Sequence, residues 1–153
     1  MAARTGMQAL SLRVANPYGP GQVVKGSQGF VVAAIRAIRS KAKLEIWGDG
    51  SVTRDFIYVD DVANAFVSAI SNDITADALN VGSGTGASLR EIIDILRELS
   101  GAPLEIDYKP ARSVDAPRVV LDIAKTERLL GWRPLSNLRQ GLGATLANED
   151  LLI

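Results

Sequence analysis

The stretch LEIWGDGSVTRDFIYVDDV, residues 44–62, holds two extended runs on either side of a glycine-rich turn. Leu44–Trp47 predicts a short strand, and Gly48-Asp49-Gly50 ends it. A second strand is predicted over Arg54–Val59, close enough along the chain for the two strands to form a hairpin. Short strands therefore form part of the fold.

A helix is predicted directly after the second strand. Asp60 or Asp61 is placed to cap it, because an aspartate at a helix N-cap accepts hydrogen bonds from free backbone N–H groups. The apolar residues of 62–70 then recur at helical spacing, with Phe66 and Ile70 on the same face as Val62. We interpret the two aspartates as a cap and its neighbour, not as a catalytic pair of carboxylates.

The rest of the chain mixes strands and helices in the same way. Ser88 and Glu91 form a capping box, which starts the clearest helix, and Gly101 ends it. Further strands are predicted at 10–14, 78–81 and 104–108, and turns or loops at 16–21 and 109–117. Further helices are predicted at 29–40, at 123–130 and from about Asn137. The helix at 123–130 has Asp122 as its cap and Gly131 as its end. Strict β-α alternation is absent, so the class is α/β or α+β, with too few elements for a complete doubly wound sheet.

Composition limits the function classes. The 153 residues carry 17 Lys plus Arg against 17 Asp plus Glu, so net charge gives no indication of nucleic-acid binding. Cysteine and histidine are absent, which excludes disulfides, Cys/His metal ligation and Ser-His-Asp catalysis. Apolar runs are far shorter than the roughly 20 residues of a membrane span, and Met1–Met7 has no apolar leader, so we expect a cytoplasmic protein that does not enter a membrane.

The segment Gly82–Ala87 fits the dinucleotide-binding pattern G-x-G-x-x-A. It follows a predicted strand, precedes a helix and has Asp107 near the end of the next strand. Against a cofactor site, the preceding strand is only about four residues long and no crossover helix follows Asp107. A tight turn between strand and helix is the favoured interpretation.

Two arginines lie in loops marked by glycine or proline. A guanidinium can donate two parallel hydrogen bonds to phosphate oxygens, so Arg54 and Arg112 are suited to holding a diphosphate. Asp115 could accept a hydrogen bond from a ribose hydroxyl. Surface ion pairs are an equally open interpretation of these charges.

A general base is harder to identify. None of Tyr18, Tyr58 and Tyr108 is followed four positions later by lysine. The sequence therefore contains no Tyr-x-x-x-Lys pair that could transfer protons.

Several ordered motifs closely resemble the NAD-dependent nucleotide-sugar epimerase/dehydratase family of extended short-chain dehydrogenases. They are Leu12–Pro20, Ile46–Gly50, Arg54–Val62, Leu79–Gly84, Pro110–Asp115, Asp122–Lys125 and Leu130–Pro134. The likeness is to the C-terminal half of UDP-glucose 4-epimerase-like members. It implies a fold made of the last strands of a Rossmann-type parallel sheet plus the small α/β substrate-binding domain, spanning 1–153 without the N-terminal NAD-binding portion.

The resemblance implies a binding site for a UDP-sugar. Asn16 would face the diphosphate or sugar, Trp47 would pack beside the base, Arg54 and Arg112 would hold the diphosphate, and Asp115 would bind the ribose. In such enzymes a sugar hydroxyl is oxidised by hydride transfer to NAD, and the hydride is then returned or elimination follows. The resemblance also makes the Gly82–Ala87 turn a late family segment rather than a cofactor loop.

NAD is the cofactor that the resemblance implies for the full-length enzyme. Val14, through its backbone, and Pro17 match the stretch that usually lies against the nicotinamide. Two places differ from the family pattern. Many members carry a further polar substrate contact in the segment that corresponds to Lys25–Gly29, and some carry an aromatic residue at the position of Val119. The catalytic Ser/Thr, the Tyr-x-x-x-Lys pair and the cofactor loop belong upstream of the strand that begins near Gln8, so we expect little or no NAD binding and no proton transfer by this chain alone.

Three functional interpretations follow. The favoured one is the UDP-sugar-binding portion of an epimerase-type enzyme whose full-length form is a homodimer. The second is a non-catalytic nucleotide-sugar-binding or interaction module that folds alone, and the third is a complete enzyme that uses carboxylates and lysines. Uncovered apolar residues such as Leu10, Leu12 and Val14 predict marginal stability or self-association.

Overall fold

The computed structural model describes residues 9–22, 29–72, 74 and 77–148. The described strands are β1 (Leu10–Val14), β2 (Asn16–Tyr18), β3 (Leu44–Trp47), β4 (Thr53–Tyr58), β5 (Asp77–Val81), β6 (Gly86–Ser88), β7 (Ile106–Lys109) and β8 (Arg118–Val119). The described helices are α1 (Phe30–Ser40), α2 (Val59–Ser71), α3 (Leu89–Ser100), α4 (Ala124–Leu130) and α5 (Leu138–Ala147). None of these helices is both long enough and apolar enough to cross a membrane. The predicted α/β class is confirmed.

The strands form small sheets that are mainly parallel. β1 pairs with β5 in parallel, from Leu10 opposite Asp77 to Val14 opposite Val81. β4 has β2 and β8 as parallel neighbours and β6 as an antiparallel one. β3 pairs in parallel with β7. Parallel pairing between strands far apart in sequence agrees with the Rossmann-type sheet that the resemblance implies.

The predicted hairpin between β3 and β4 is wrong. Gly48 N–H donates to the Lys109 carbonyl at 2.9 Å, which continues the pairing of β3 with β7. Arg90, at the start of α3, holds the following loop by donating from Nε to the Asp49 carbonyl at 2.6 Å. The loop is therefore tied to a helix, and the two strands that it joins enter different sheets.

Strand β4 separates two hydrophobic cores. Phe56 and Tyr58 face the first core, whereas the intervening Ile57 faces the second. The first core lies among α1, α3, α5 and β3, and its most buried members include Val32, Ile35, Ile46, Ile92, Leu96 and Leu142. The second core lies among β1, β5, α2 and α4, and its buried members are Ile57, Ala65, Leu79, Val81, Leu130 and Trp132.

Two helix starts follow from local sequence. The Glu91 N–H donates to Ser88 Oγ at 3.2 Å and the Ser88 N–H donates to Glu91 Oε2 at 2.6 Å, so the predicted capping box is confirmed. Asn137 and Gln140 form a second capping box at the start of α5. At the other end of α3, Gly101 takes the left-handed conformation (φ 63°) that favours glycine.

The predicted cap of α2 is wrong. The helix begins at Val59, with Tyr58 at the N-cap and no side-chain capping bond. Asp61 is instead buried, and its carboxylate accepts hydrogen bonds from the N–H groups of Leu135 and Ser136 at 2.9 and 3.1 Å. A carboxylate in the first helical turn thus fixes a segment more than 70 positions away.

Smaller corrections concern strand and helix bounds. Asn16–Tyr18, predicted within a turn, forms β2 because it aligns with Phe56–Tyr58 of β4. β7 starts later than predicted because Leu104 is buried, and its carbonyl accepts a hydrogen bond from Arg97 at 2.6 Å. Asp122 precedes the N-cap of α4 but still accepts from the Ala124 N–H at 2.9 Å. Met1–Met7, Gln8 and the 25–28 part of the Lys25–Gly29 segment lie outside the described residues.

Candidate functional site

Two open cavities adjoin each other on the first-core side of β4. One, of about 480 Å³, lies between β2 and the start of α1. The other, of about 220 Å³, lies between β3 and the 110–117 loop. Phe30, Arg54 and Leu89 line both cavities, so the two form neighbouring parts of one groove, which we call the paired cavity.

Arg54 stands at the junction of the paired cavity. Arg54 is half-buried on β4. Its Nη1 donates to the backbone carbonyls of Thr53 and Ala116 at 2.9 and 2.7 Å. Nε and Nη2 make no hydrogen bond with the described part of the chain. The guanidinium is therefore held in place by one nitrogen and retains donors for a ligand.

Trp47 and Arg112 form the wall of the smaller cavity. Trp47 ends β3 and is 40% exposed, so part of its ring is open to a ligand. The Arg112 guanidinium lies 4.0 Å from the centre of the Trp47 ring, which is a cation–π contact. The contact keeps an arginine and a flat aromatic face together beside Arg54.

Asp115 lies at the same cavity as Trp47, Arg54 and Arg112. Its N–H donates to the Arg112 carbonyl at 3.2 Å, so a tight turn brings the two side chains to one side of the 110–117 loop. The side chain of Asp115 is exposed and can accept hydrogen bonds from a ligand. The structure thus brings together four of the five predicted substrate residues.

The fifth predicted substrate residue, Asn16, lines the larger cavity together with Pro17. Asn16 Nδ2 donates to the Asp55 carbonyl at 2.8 Å, which leaves its side-chain oxygen directed elsewhere. Asn16 and Pro17 sit on β2, next to β4, so Arg54 lies between them and the Trp47 wall.

Val14, predicted as a backbone contact of the cofactor, does not line the paired cavity. It ends β1 opposite Val81 and is half-buried against the second core. Val14 therefore lies on β1 beside the second core, whereas Pro17 lies on β2 beside the larger cavity.

Asp55 is a site-shaping residue that sequence reasoning missed. It is 1% exposed, and its carboxylate accepts hydrogen bonds from Ser83 N–H at 2.7 Å, Ser83 Oγ at 2.6 Å, Gly84 N–H at 3.3 Å and Leu121 N–H at 3.2 Å. A Cβ at Gly82 would clash with Asp55 Oδ2. The G-x-G-x-x-A turn therefore encloses a carboxylate of the protein itself and leaves its N–H groups no place for a cofactor phosphate.

A signal for Asp55 was present in the sequence. It occupies a core-facing position in the alternation of Arg54–Tyr58, and a buried charge requires several partners. Two other missed lining residues, Phe30 and Leu89, are the first residues of α1 and α3. Both directly follow the N-cap residues Gly29 and Ser88, so helix-start signals locate them.

The tyrosine nearest the site is not suited to proton transfer. Tyr18 lines the larger cavity, but burial, then Asp61, then Tyr58 raise the pKa of its phenol well above its usual range. Its hydroxyl donates to the Leu138 carbonyl at 3.3 Å. The paired cavity thus offers guanidinium donors, an aromatic face and an exposed carboxylate to a ligand.

Comparison with known proteins identifies relatives from one enzyme family. The family model described as NAD dependent epimerase/dehydratase family matches residues 1–82. UDP-glucose 4-epimerase of Mycolicibacterium smegmatis is 38% identical over 132 residues, which are 86% of this chain and 42% of that protein.

Solved structures give the same picture. The crystal structure of UDP-glucose 4-epimerase with UDP-glucose from Thermotoga maritima aligns with a TM-score of 0.88 at 34% identity, covering 95% of this chain and 47% of that one. The Thermus thermophilus UDP-glucose 4-epimerase in complex with NAD aligns with a TM-score of 0.83 at 31% identity, again over 95% and 47%.

The family match covers more than half of the chain, and the fold agrees over nearly all of it. The chain spans less than half the length of the relatives that it matches. The motifs from which the resemblance was inferred lie on the strands and loops that form the paired cavity and the second core. This chain belongs to the NAD-dependent epimerase/dehydratase family, whose cofactor is NAD.

Proposed function

We propose that this chain binds a UDP-sugar along the paired cavity, as the substrate-binding portion of an NAD-dependent epimerase or dehydratase. The observation that carries the proposal is the position of Arg54 between two cavities of about 480 and 220 Å³. A nucleoside diphosphate sugar has an anionic centre with a sugar on one side and a nucleoside on the other. Its shape and charge match a groove with a guanidinium in the middle.

Each end of the ligand has suitable contacts. The diphosphate lies at Arg54, where Nε and Nη2 can donate a forked pair of hydrogen bonds. The base lies against Trp47, which requires Arg112 to leave the ring face that it covers at 4.0 Å and turn to the diphosphate. Asp115 accepts from the ribose, and Asn16 contacts the sugar end.

We infer that the described residues supply at most a small part of a binding site for NAD. The turn that best fits a phosphate-binding loop encloses the carboxylate of Asp55, and Val14 lies away from the paired cavity. Pro17 offers a contact at the cavity edge only. We therefore assign binding and orientation of the nucleotide sugar to this chain, and we expect hydride and proton transfer to require the portion of the family fold that it does not match.

Calorimetric titration with UDP and with uridine tests the proposal. Charge-assisted hydrogen bonds contribute about 1.5–3 kcal/mol each, so Arg54→Ala and Arg112→Ala should each weaken UDP binding by roughly 10- to 150-fold. Uridine affinity should change much less in Arg54→Ala, since uridine has no diphosphate.

The matched control is Arg139→Ala, because Arg139 is an exposed arginine that pairs with Glu98 at 2.7 Å outside the paired cavity. Arg54→Lys separates charge from geometry, since lysine keeps the charge but not the fork. Melting curves of every variant show whether loss of the Ala116 contact has disturbed the 110–117 loop. Absence of UDP binding, or unchanged UDP affinity in folded Arg54→Ala and Arg112→Ala, would contradict the proposal.

A further inference from the structure

Glu45 adds a carboxylate to the smaller cavity. It lies on β3 two positions before Trp47, and side chains two positions apart on a strand point to the same face. Leu44 and Ile46, which alternate with them, are buried in the first core. Glu45 and Trp47 therefore stand side by side on the face of β3 that points away from this core.

The carboxylate of Glu45 has acceptor capacity for a ligand. Lys109 Nζ lies 3.9 Å from Glu45 Oε2, too far for a hydrogen bond, and only 2.8 Å from Asp107 Oδ2. No hydrogen bond to the Glu45 carboxylate is made within the described part of the chain. Exposed ion pairs contribute little to stability, so the contact with Lys109 does not explain why a carboxylate lines this cavity. A carboxylate accepts hydrogen bonds and donates none, which decides what ligand group it can bind.

The spacing on β3 fits a base that stacks on Trp47. Cα atoms two positions apart on a strand are separated by about 6.6 Å. Half the width of a pyrimidine ring plus one hydrogen bond covers most of this distance. An acceptor at Glu45 is therefore within reach of the edge of a base whose face lies on the Trp47 ring.

Nucleobases differ at the edge that would meet this acceptor. Uracil carries a ring N–H between its two carbonyl groups, whereas the corresponding ring nitrogen of cytosine has no hydrogen and is itself an acceptor. A carboxylate opposite that nitrogen gains a hydrogen bond from uracil and faces a second acceptor in cytosine. Discrimination of this kind combines attraction to one ligand with repulsion of the other.

We propose that Glu45 selects the nucleobase of the nucleotide sugar by accepting a hydrogen bond from the ring N–H of uracil. Trp47 supplies the stacking face, and Glu45 contacts the edge of the base. Asp115, the second exposed carboxylate of the cavity, lies on the 110–117 loop beside Arg112 and is left to the ribose. The inference rests on the proposed function, because it assigns a base-selecting residue within the same site.

Calorimetric titration of the chain with UDP and with CDP tests the assignment. Glu45→Gln keeps the shape of the side chain, but its amide can donate to cytosine as well as accept from uracil. Wild type should bind UDP about tenfold more tightly than CDP, and Glu45→Gln should bind the two about equally. The loss of a negative charge does not change this ratio, because both ligands carry the same diphosphate.

The matched control is Glu105→Gln. Glu105 is also exposed, pairs with Lys43 at 3.5 Å and lies outside the paired cavity, so this variant should keep the wild-type ratio. UDP methylated on the ring nitrogen gives a second measurement, since it lacks the N–H. Wild type should bind it about tenfold more weakly than UDP, whereas Glu45→Ala, which also makes room for the methyl group, should bind both about equally.

Two results would overturn the assignment and leave the proposed function standing. One is UDP binding that depends on Arg54 but with the same UDP-to-CDP ratio in wild type and Glu45→Gln. The other is equal binding of UDP and methylated UDP by the wild type, a comparison that needs no variant to fold. Absence of UDP binding would overturn the proposed function and this inference together.

Discussion

The two cores of this protein differ in how completely they are closed. Around the first core, α1, α3 and α5 surround fully buried residues such as Ile35 and Leu96, and the paired cavity opens at its edge. Around the second core, β1 contributes only half-buried residues, and α2 leaves Ile70 84% exposed. The region that we propose to bind the nucleotide sugar is thus the more completely closed of the two.

The elements that support the proposed ligand site belong to the first of these regions. The arginines and the exposed tryptophan are supported by elements of the first core and by β4. No described residue that lines the paired cavity belongs to β1 or α2. The proposed ligand site therefore depends on elements of the first core and on β4, not on β1 or α2.

The largest effect expected from a single substitution is in the first core. Leu96→Ala removes a side chain that is 0% exposed on α3 and should lower the free energy of unfolding by about 2–5 kcal/mol, because it leaves a cavity among close-packed neighbours. Ile70→Ala, on the exposed face of α2, should change it by no more than about 0.5 kcal/mol. Urea unfolding curves measure both. Similar losses in the two variants would abolish the contrast between the regions.

The hydrogen bonds of Asp55, which join β4 to the 82–85 turn, should contribute nearly as much to the free energy of unfolding. Asp55→Asn replaces a buried carboxylate that accepts from Ser83, Gly84 and Leu121, and it turns an amide NH₂ toward some of those donors. We expect a loss of about 3 kcal/mol in the free energy of unfolding. Asp94→Asn is the matched control, because its side chain is 66% exposed and pairs with Arg97 at 3.4 Å. A loss no greater than that of Asp94→Asn would show that Asp55 does not join β4 to the 82–85 turn.

A smaller effect is expected at the start of α3. Ser88→Ala should cost about 1 kcal/mol, since it removes the N-cap acceptor. Hydrogen bonds from the N–H and hydroxyl of Ser88 hold the pKa of Glu91 below its ordinary value of 4.5. Because the folded pKa is the lower one, this contribution is present above about pH 4.5 and is lost as pH falls through the folded pKa.

Unfolding experiments at pH 7 and pH 3.5 test this capping box. The wild type should lose more stability between the two values than Glu91→Gln does, because glutamine does not titrate. Equal losses in the two proteins would contradict the assignment of this pH dependence to Glu91.

The sequence predicted correctly those helix starts and ends that depend on neighbouring residues. The capping box at Ser88 and Glu91 and the stops at Gly101 and Gly131 depend on residues within a few positions of one another, and all are confirmed. The hairpin failed because β3 finds its partner in β7, about 60 positions away, through register and not through turn chemistry. Asp61 was misassigned for the same reason, since its hydrogen-bond partners lie at 135 and 136.

The candidate site was predictable by residue type but not by arrangement. Arginines in glycine- or proline-marked loops indicated a phosphate ligand, yet surface ion pairs remained an equal alternative. The pairing of β3 with β7 carries the 110–117 loop to Trp47 and Arg54, and no periodicity in the sequence encodes that approach.

The two tryptophans allow the most direct test, because one lies in each region. Trp47 lines the paired cavity and is 40% exposed, whereas Trp132 is 5% exposed in the second core and donates to the Asp61 carbonyl at 3.1 Å. Indole N–H signals of the ¹⁵N-labelled chain can be followed during titration with UDP. We predict a saturable shift of the Trp47 signal, as the base displaces Arg112, and an unchanged Trp132 signal. A titration that moves neither signal, or that moves only Trp132, would contradict the proposed site.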